Sequence, residues 1–289
     1  MKKKIISVIV GVAGLAAAYF VVSGISHIVY NRPVDNAATE STAETTEQGT
    51  EEAKAAMTED EINEMLAGMK ATETAETATE EQSEVIPVKF EELQAVNPDI
   101  YAWITVPGTV IDYPILQHAS DNTYYLMHNI DGSYGYPGCV YTENMNSKDF
   151  TDNNTVIYGH NMKNGSMFAQ LHKFEDPDFF NENREVLIYL PDEVLHYTIF
   201  AAHVYDDRHL LYSFDFTDPE VYQKYLDSIF STRDMSANID KDVTVTADDQ
   251  IITLVTCIGS QPNNRLLVQA VLTDREPGAE AAQSATTTE

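Results

Sequence analysis

Between about residues 87 and 275 the chain is cut into short β-favouring runs by Gly, Pro, Asn and Asp. That punctuation constrains the fold more than any other feature. β-branched and aromatic side chains suit a pleated, half-buried surface, and turn residues bound each run. Eight runs follow: Ile100–Val106, Val110–Leu116, Gly138–Tyr141, Thr155–His160, Glu185–Leu190, Val194–Tyr205, Ile251–Cys257 and Leu266–Thr273. Helical spacing appears at Phe90–Val96, at Met167–Phe174 with Ser166 as a candidate N-cap, and at Pro219–Ser231. Many short strands with few helices predict a mainly β domain, a closed barrel or a sandwich. No internal repeat interrupts it.

The last two runs bracket the chemistry. Cys257 ends the first and Arg265 begins the second, across a polar loop, Ile258–Asn264. Two strands joined by a turn place both residues on one rim. A thiol beside a permanent cation is half of a cysteine-nucleophile site. A proton-exchanging group and an oxyanion donor complete such a site.

Outside the domain the composition changes sharply. Lys2, Lys3 and Lys4 precede an apolar run from Ile5 to about Tyr30. That run can cross a hydrocarbon core of about 30 Å, with the positive flank in the cytoplasm. No small-x-small cleavage site precedes Asn31-Arg32-Pro33, so residues 1–30 read as an uncleaved signal-anchor. Residues 31–86 read as an acidic disordered tether. From Pro33 to Ile86 there are 15 acidic residues against Lys54 and Lys70, too little apolar surface to offset ordering entropy. Within it, Thr58-Glu59-Asp60-Glu61 has the form of a capping box, followed by Ile62, Met65, Leu66 and Met69 at helical spacing; a transient, solvated helix is expected there. Residues 276–289 read as a disordered tail, leaving 87–275 as the folded domain.

The net charge of −29, from 17 Lys and Arg against 46 Asp and Glu, excludes nucleic-acid binding through phosphate contacts and docking on anionic lipid. Cys139 and Cys257 are the only cysteines. They make no disulfide framework and lack the CxxC spacing of a zinc or redox site.

Eight histidines compete for the proton-exchange role. His27 lies in the apolar run, and His196 and His203 lie inside a strand run. His118, His128, His172 and His209 sit in loops or on helix faces with no local feature to distinguish them. His160 ends the run Thr155–His160, so it lies at a strand end, as Cys257 does. Cys139 fits an ordinary buried thiol.

These residues carry a resemblance. Thr253-Leu254-Val255-Thr256-Cys257 resembles the TLxTC signature of sortases, membrane-anchored cysteine transpeptidases of Gram-positive bacteria. Arg265 falls where that family carries its essential arginine, and Tyr158-Gly159-His160-Asn161-Met162 is similar to its catalytic-histidine strand. Asn97-Pro98-Asp99 leading to Trp103-Ile104, Pro107-Gly108-Thr109, Ile111-Asp112-Tyr113-Pro114, and Asp121-Asn122 leading to Tyr125-Leu126 resemble class B. The resemblance spans about 88–275 in chain order.

The resemblance implies an eight-stranded sortase barrel with a few peripheral helices. It implies Cys257 as nucleophile, His160 as general acid and base, and Arg265 as substrate-orienting and oxyanion-stabilising cation. Asn122, Leu126, Tyr158, Val255 and Thr256 match groove positions, with Tyr212 added from the loop before the last helix. No cofactor or metal is implied. The implied partners are surface proteins with a C-terminal sorting signal, cleaved after Thr, and an amino group of a peptidoglycan precursor. The catalytic domain would lie outside the cell, facing the wall. Val255 replaces a Ser found in some class B members, and the Cys-to-Arg loop varies, which leaves the signal preference open.

Three rivals follow. An L,D-transpeptidase is excluded, since its Cys closely follows its His, whereas His160 and Cys257 stand 97 positions apart. A pilin polymerase would use a pilin lysine as acceptor. A non-catalytic surface adhesion module would show no thiol reactivity.

Overall fold

The computed structural model describes residues 58–70 and 86–278. The expected signal-anchor, most of the tether and most of the tail lie outside the described residues. Among the described residues no helix is long and apolar enough to cross a membrane.

Nine strands form the sheet: β1 (Ile100–Thr105), β2 (Asp112–Leu116), β3 (Val140–Thr142), β4 (Asn154–Tyr158), β5 (Glu185–Tyr189), β6 (Glu193–Asp206), β7 (Asn238–Ile239), β8 (Ile251–Ile258) and β9 (Gln261–Pro277). Their order is β5-β1-β2-β3-β4-β8-β9-β6-β7, and β5 also pairs with β6. That last pairing closes an eight-stranded barrel, so the ring has no free edge. β7 hangs outside it on Ala201 and Ala202 of β6. The closed barrel and all eight expected strands are present, and β7 is additional.

Side-chain alternation sorts the wall into two cores. Ile252, Leu254, Leu266, Val268 and Ala270 fill the barrel with Ile104, Ile115 and Ile157. Val255, Tyr158, Leu267 and Val271 face outward, in one cluster with Tyr222, Tyr225, Leu226 and Ile229. Those four come from the long peripheral helix Pro219–Phe230, whose N-cap Asp218 accepts from the backbone N–H groups of Glu220 and Val221. Cys257 and Arg265 continue the outward series two residues beyond Val255 and Leu267. The site therefore lies on the outer face of the barrel wall, at its rim.

Four sequence expectations are corrected. Ser166 does not cap a helix; its hydroxyl donates to Asn164, and the segment Phe168–Glu175 is a 3-10 helix begun by Met167 at φ 54°. The Cys-to-Arg loop shrinks to Gly259-Ser260, because β9 starts at Gln261 and a bulge sits between Cys257 and Ile258. β9 runs through Pro277, beyond the expected domain end, and Gly278 N–H then donates to the Asp192 carbonyl. The helix in the tether, α1 (Glu59–Met69), has its full capping box, but Ile62 and Leu66 are buried rather than solvated. An isolated helix of this length is marginal in water. Burying each side chain contributes about 1.5–3 kcal/mol, so packing on the domain holds α1. Lys70, just after it, forms a bridge with Val88 and donates to Asp112 at 2.7 Å.

Candidate active site

Parallel pairing of β4 with β8 sets Tyr158 opposite Val255, and the ladder ends with Gly159 N–H donating to the Val255 carbonyl. Antiparallel pairing of β8 with β9 sets Cys257 directly opposite Arg265. Directly opposed residues share a face, with Cβ atoms about 5 Å apart. His160 is two residues past Tyr158, at the end of the same ladder. Three positions remote in sequence are thus brought to one rim by register alone.

Their surroundings differ. Cys257 is exposed. Arg265 is 5% exposed, and its Nη1 donates to the carbonyls of Pro262 and Asn264 at 2.9 and 2.8 Å. The turn thereby holds the guanidinium of the residue that pairs with Cys257. His160 Nε2 lies 2.7 Å from the Leu126 carbonyl, which makes Nε2 the proton-bearing nitrogen and leaves Nδ1 to exchange a proton. Burial holds the His160 pKa below the ordinary value, against the Leu126 bond, which raises it. The ring of Tyr136 meets His160 edge-on, 5.3 Å between centroids.

Leu126 is itself placed by Gly138. There φ is +68°, and a Cβ would sit 2.7 Å from the Tyr125 carbonyl and 2.9 Å from that of Leu126. Only glycine allows the strand entrance to approach that turn so closely. Gly159 does the same for Phe168, whose ring lies 2.5 Å from a Cβ at that position.

An exposed thiol, a half-buried imidazole and a fixed guanidinium on one rim can perform nucleophilic acyl transfer: attack, proton exchange and oxyanion stabilisation. A sortase-domain family profile matches residues 104–273. The chain is 35% identical over 195 residues to sortase B of Listeria monocytogenes, covering 67% of this chain and 76% of the relative. The crystal structure of Clostridium perfringens sortase B superposes with a TM-score of 0.59 at 33% identity, covering 64% of this chain and all of that one. A Streptococcus pyogenes class B sortase involved in pilus biogenesis superposes at 0.56 with 29% identity, covering 64% and 98%.

The chain belongs to the sortase family, class B.

In this sortase the sequence-derived groove residues divide. Tyr158 and Val255 lie side by side on the outer face, and Tyr158 stacks on Tyr141 at 5.4 Å. Leu126 contributes the carbonyl that holds His160. Asn122 Oδ1 accepts from the Asn144 backbone, tying two rim loops together. Tyr212 is 71% exposed on the short helix Leu210–Ser213 and packs on the His209 ring at 4.3 Å. Thr256 is a correction. Its side chain is 2% exposed and turned away from the groove, where its hydroxyl donates to the Gly159 carbonyl at 2.9 Å. Alternation puts Thr256 on the opposite face from Cys257; it fastens β4 to β8 rather than lining a groove.

Two histidines without a distinguishing sequence signal are placed by tertiary structure. His209 Nε2 bonds the buried Glu143 carboxylate at 2.7 Å, while its Nδ1 accepts from the Tyr212 backbone. His172 reaches the Cys257 carbonyl at 3.0 Å. Among the described residues no group of three His, Cys, Asp or Glu side chains is arranged to hold a metal ion.

Proposed function

We propose that this sortase is a membrane-anchored cysteine transpeptidase acting on C-terminal sorting signals. The observation that carries the reading is the register of Cys257 opposite Arg265, beside the strand that leads into His160. The Cys257 thiol gives its proton to His160 and its sulfur attacks the carbonyl carbon of the signal's Thr. The oxyanion that forms faces the Arg265 guanidinium, which stays protonated near neutral pH. The C–N bond breaks as His160 gives a proton to the leaving amine, leaving a thioacyl-enzyme. An amino group of a peptidoglycan precursor attacks the thioester and loses its proton to His160, and the Cys257 sulfur is released. Asn122, Leu126, Tyr158, Val255 and Tyr212 line the peptide's path. Residues 1–30 anchor the chain with its N-terminus inside, and the catalytic domain faces the wall.

The test incubates the full-length protein with peptides spanning sorting-signal variants and a panel of amines. Cleavage after Thr, lost in Cys257→Ala, supports the reading. Intact peptides together with a Cys257 inert to methanethiosulfonate would overturn it, and the inert thiol is what a non-catalytic adhesion module predicts. A second reading, pilin polymerisation, draws on the similarity to the streptococcal pilus-associated class B sortase. It predicts that a pilin lysine outcompetes peptidoglycan-derived amines in the second step.

A further inference from the structure

The Cys257 carbonyl stands where the ladder between β4 and β8 ends. Toward β4, the parallel ladder runs through Gly159 N–H to the Val255 carbonyl. Its next rung would be the Asn161 backbone N–H on the Cys257 carbonyl. The backbone of Asn161 instead turns away to bridge Met167. A carbonyl without a partner at a strand end is costly.

Side chains replace that rung. Asn161 Nδ2 donates to the Cys257 carbonyl at 2.9 Å, and His172 Nε2 lies 3.0 Å from the same oxygen. With both ring nitrogens protonated, His172 donates from Nε2 to that oxygen and from Nδ1 to Glu175, and one carbonyl has two lone pairs, enough for both donors. The donors lie 3.1 Å apart. The far side of the His172 ring is held as well: Nδ1 is 2.8 Å from Glu175 Oε2. Asn161 directly follows His160. The amide that holds the peptide of Cys257 therefore also fixes the chain beside the imidazole.

We propose that Asn161 and His172, the latter oriented by Glu175, form a clamp on the peptide after Cys257 that sets the position of the sulfur relative to His160. They are positioning residues. The inference rests on Cys257 being the nucleophile. Misplacing a reacting group by about 1 Å can cost on the order of a hundredfold in rate. The clamp acts on a backbone carbonyl, so its loss should fall on kcat and on the intrinsic reactivity of the thiol rather than on KM.

The experiment uses the full-length protein and four variants: Asn161→Ala, His172→Ala, His172→Gln and Cys257→Ala. Steady-state kinetics on a cleaved peptide and the rate of Cys257 alkylation by iodoacetamide are read together, with thermal melting as the check on folding. Asn161→Ala and His172→Ala should each lower kcat about tenfold and slow alkylation, with KM and melting temperature held. His172→Gln keeps an N–H donor on the ring's side of the carbonyl and should recover most of kcat. Wild-type kcat and alkylation in both alanine variants would overturn the clamp, as would a His172→Gln no better than His172→Ala. Should an alanine variant melt early, the comparison of His172→Gln with the wild type still decides. A Cys257→Ala variant that cleaves peptide would overturn the nucleophile assignment instead, whatever the clamp variants do.

Discussion

Two thiols in one domain meet opposite environments. Cys257 stands exposed at the end of β8, opposite a guanidinium and beside the strand of His160. Cys139 is 6% exposed at the entrance to β3, and burial pushes its thiol far above the ordinary range. Its Sγ lies 3.5 Å from the His128 carbonyl, a weak contact. Pro137, Gly138, Pro114 and the α1 residues Ile62 and Leu66 surround a small cavity beside it, about 30 Å³ in volume. The same side chain is thus a candidate nucleophile in one place and a core filler in the other. Register and exposure decide the difference, since the thiolate, not the thiol, attacks.

The widest separation between the two regions comes from their own substitutions. Cys257→Ala should abolish peptide cleavage, by at least about a thousandfold, measured as product in a timed assay. Activity surviving in that variant would end the contrast. Arg265→Lys tests the cation on the reactive side. Lysine keeps the charge but not the planar guanidinium whose Nη1 holds the Pro262 and Asn264 carbonyls, so a fall of about a hundredfold is expected in kcat/KM.

The other side is tested through α1. Leu66→Ala opens a cavity next to Cys139 and should cost about 3 kcal/mol in denaturant unfolding. It should also raise Cys139 alkylation relative to Cys257. A variant as stable as wild type would show that α1 does not seal that region. Smaller is the pH effect at His160. Its folded pKa lies below the ordinary 6.5, so the unfolded chain takes up a proton that the folded site resists. Its contribution to stability is complete above about 6.5 and falls as pH drops from there through the folded value. The His160 ring signal in a proton NMR titration should show a midpoint under 6.5; a midpoint above it would refute the assignment. Smallest is Cys139→Ser, with activity changed by less than about twofold. A large loss in a folded variant would give Cys139 a role that burial does not suggest.

The strands were readable because β-branched runs and their turn residues are local signals, and the eight of them bound the barrel. The rim trio was readable because a strand end can be seen in sequence. The remainder depends on pairings that no local pattern encodes. β7 is two residues long, Asn238 and Ile239, and exists only because β6 passes beside it. Ser166 has the right chemistry for a cap, but Met167 takes a positive φ and the turn closes as a 3-10 helix. Thr256 sits inside the signature and still points the wrong way, because strand alternation overrides proximity to Cys257. Ile62 and Leu66 lie in so acidic a stretch that composition argued for solvation, and only a groove made by Pro114 and Pro137 gives them cover. Asn161 and His172 were invisible for a simpler reason. Their target is a backbone carbonyl 96 and 85 residues away.

The pairing of β4 with β8 also has a bearing on how the chain comes to be folded. Thr256 and Gly159 are joined across 97 residues, and the rim exists only once that junction closes. Contacts so far apart are entropically late, and chains dominated by them fold slowly. Until β8 docks, Cys257 has neither guanidinium nor imidazole beside it. The proposed site is therefore absent from the nascent chain and assembles only when its last hairpin seats.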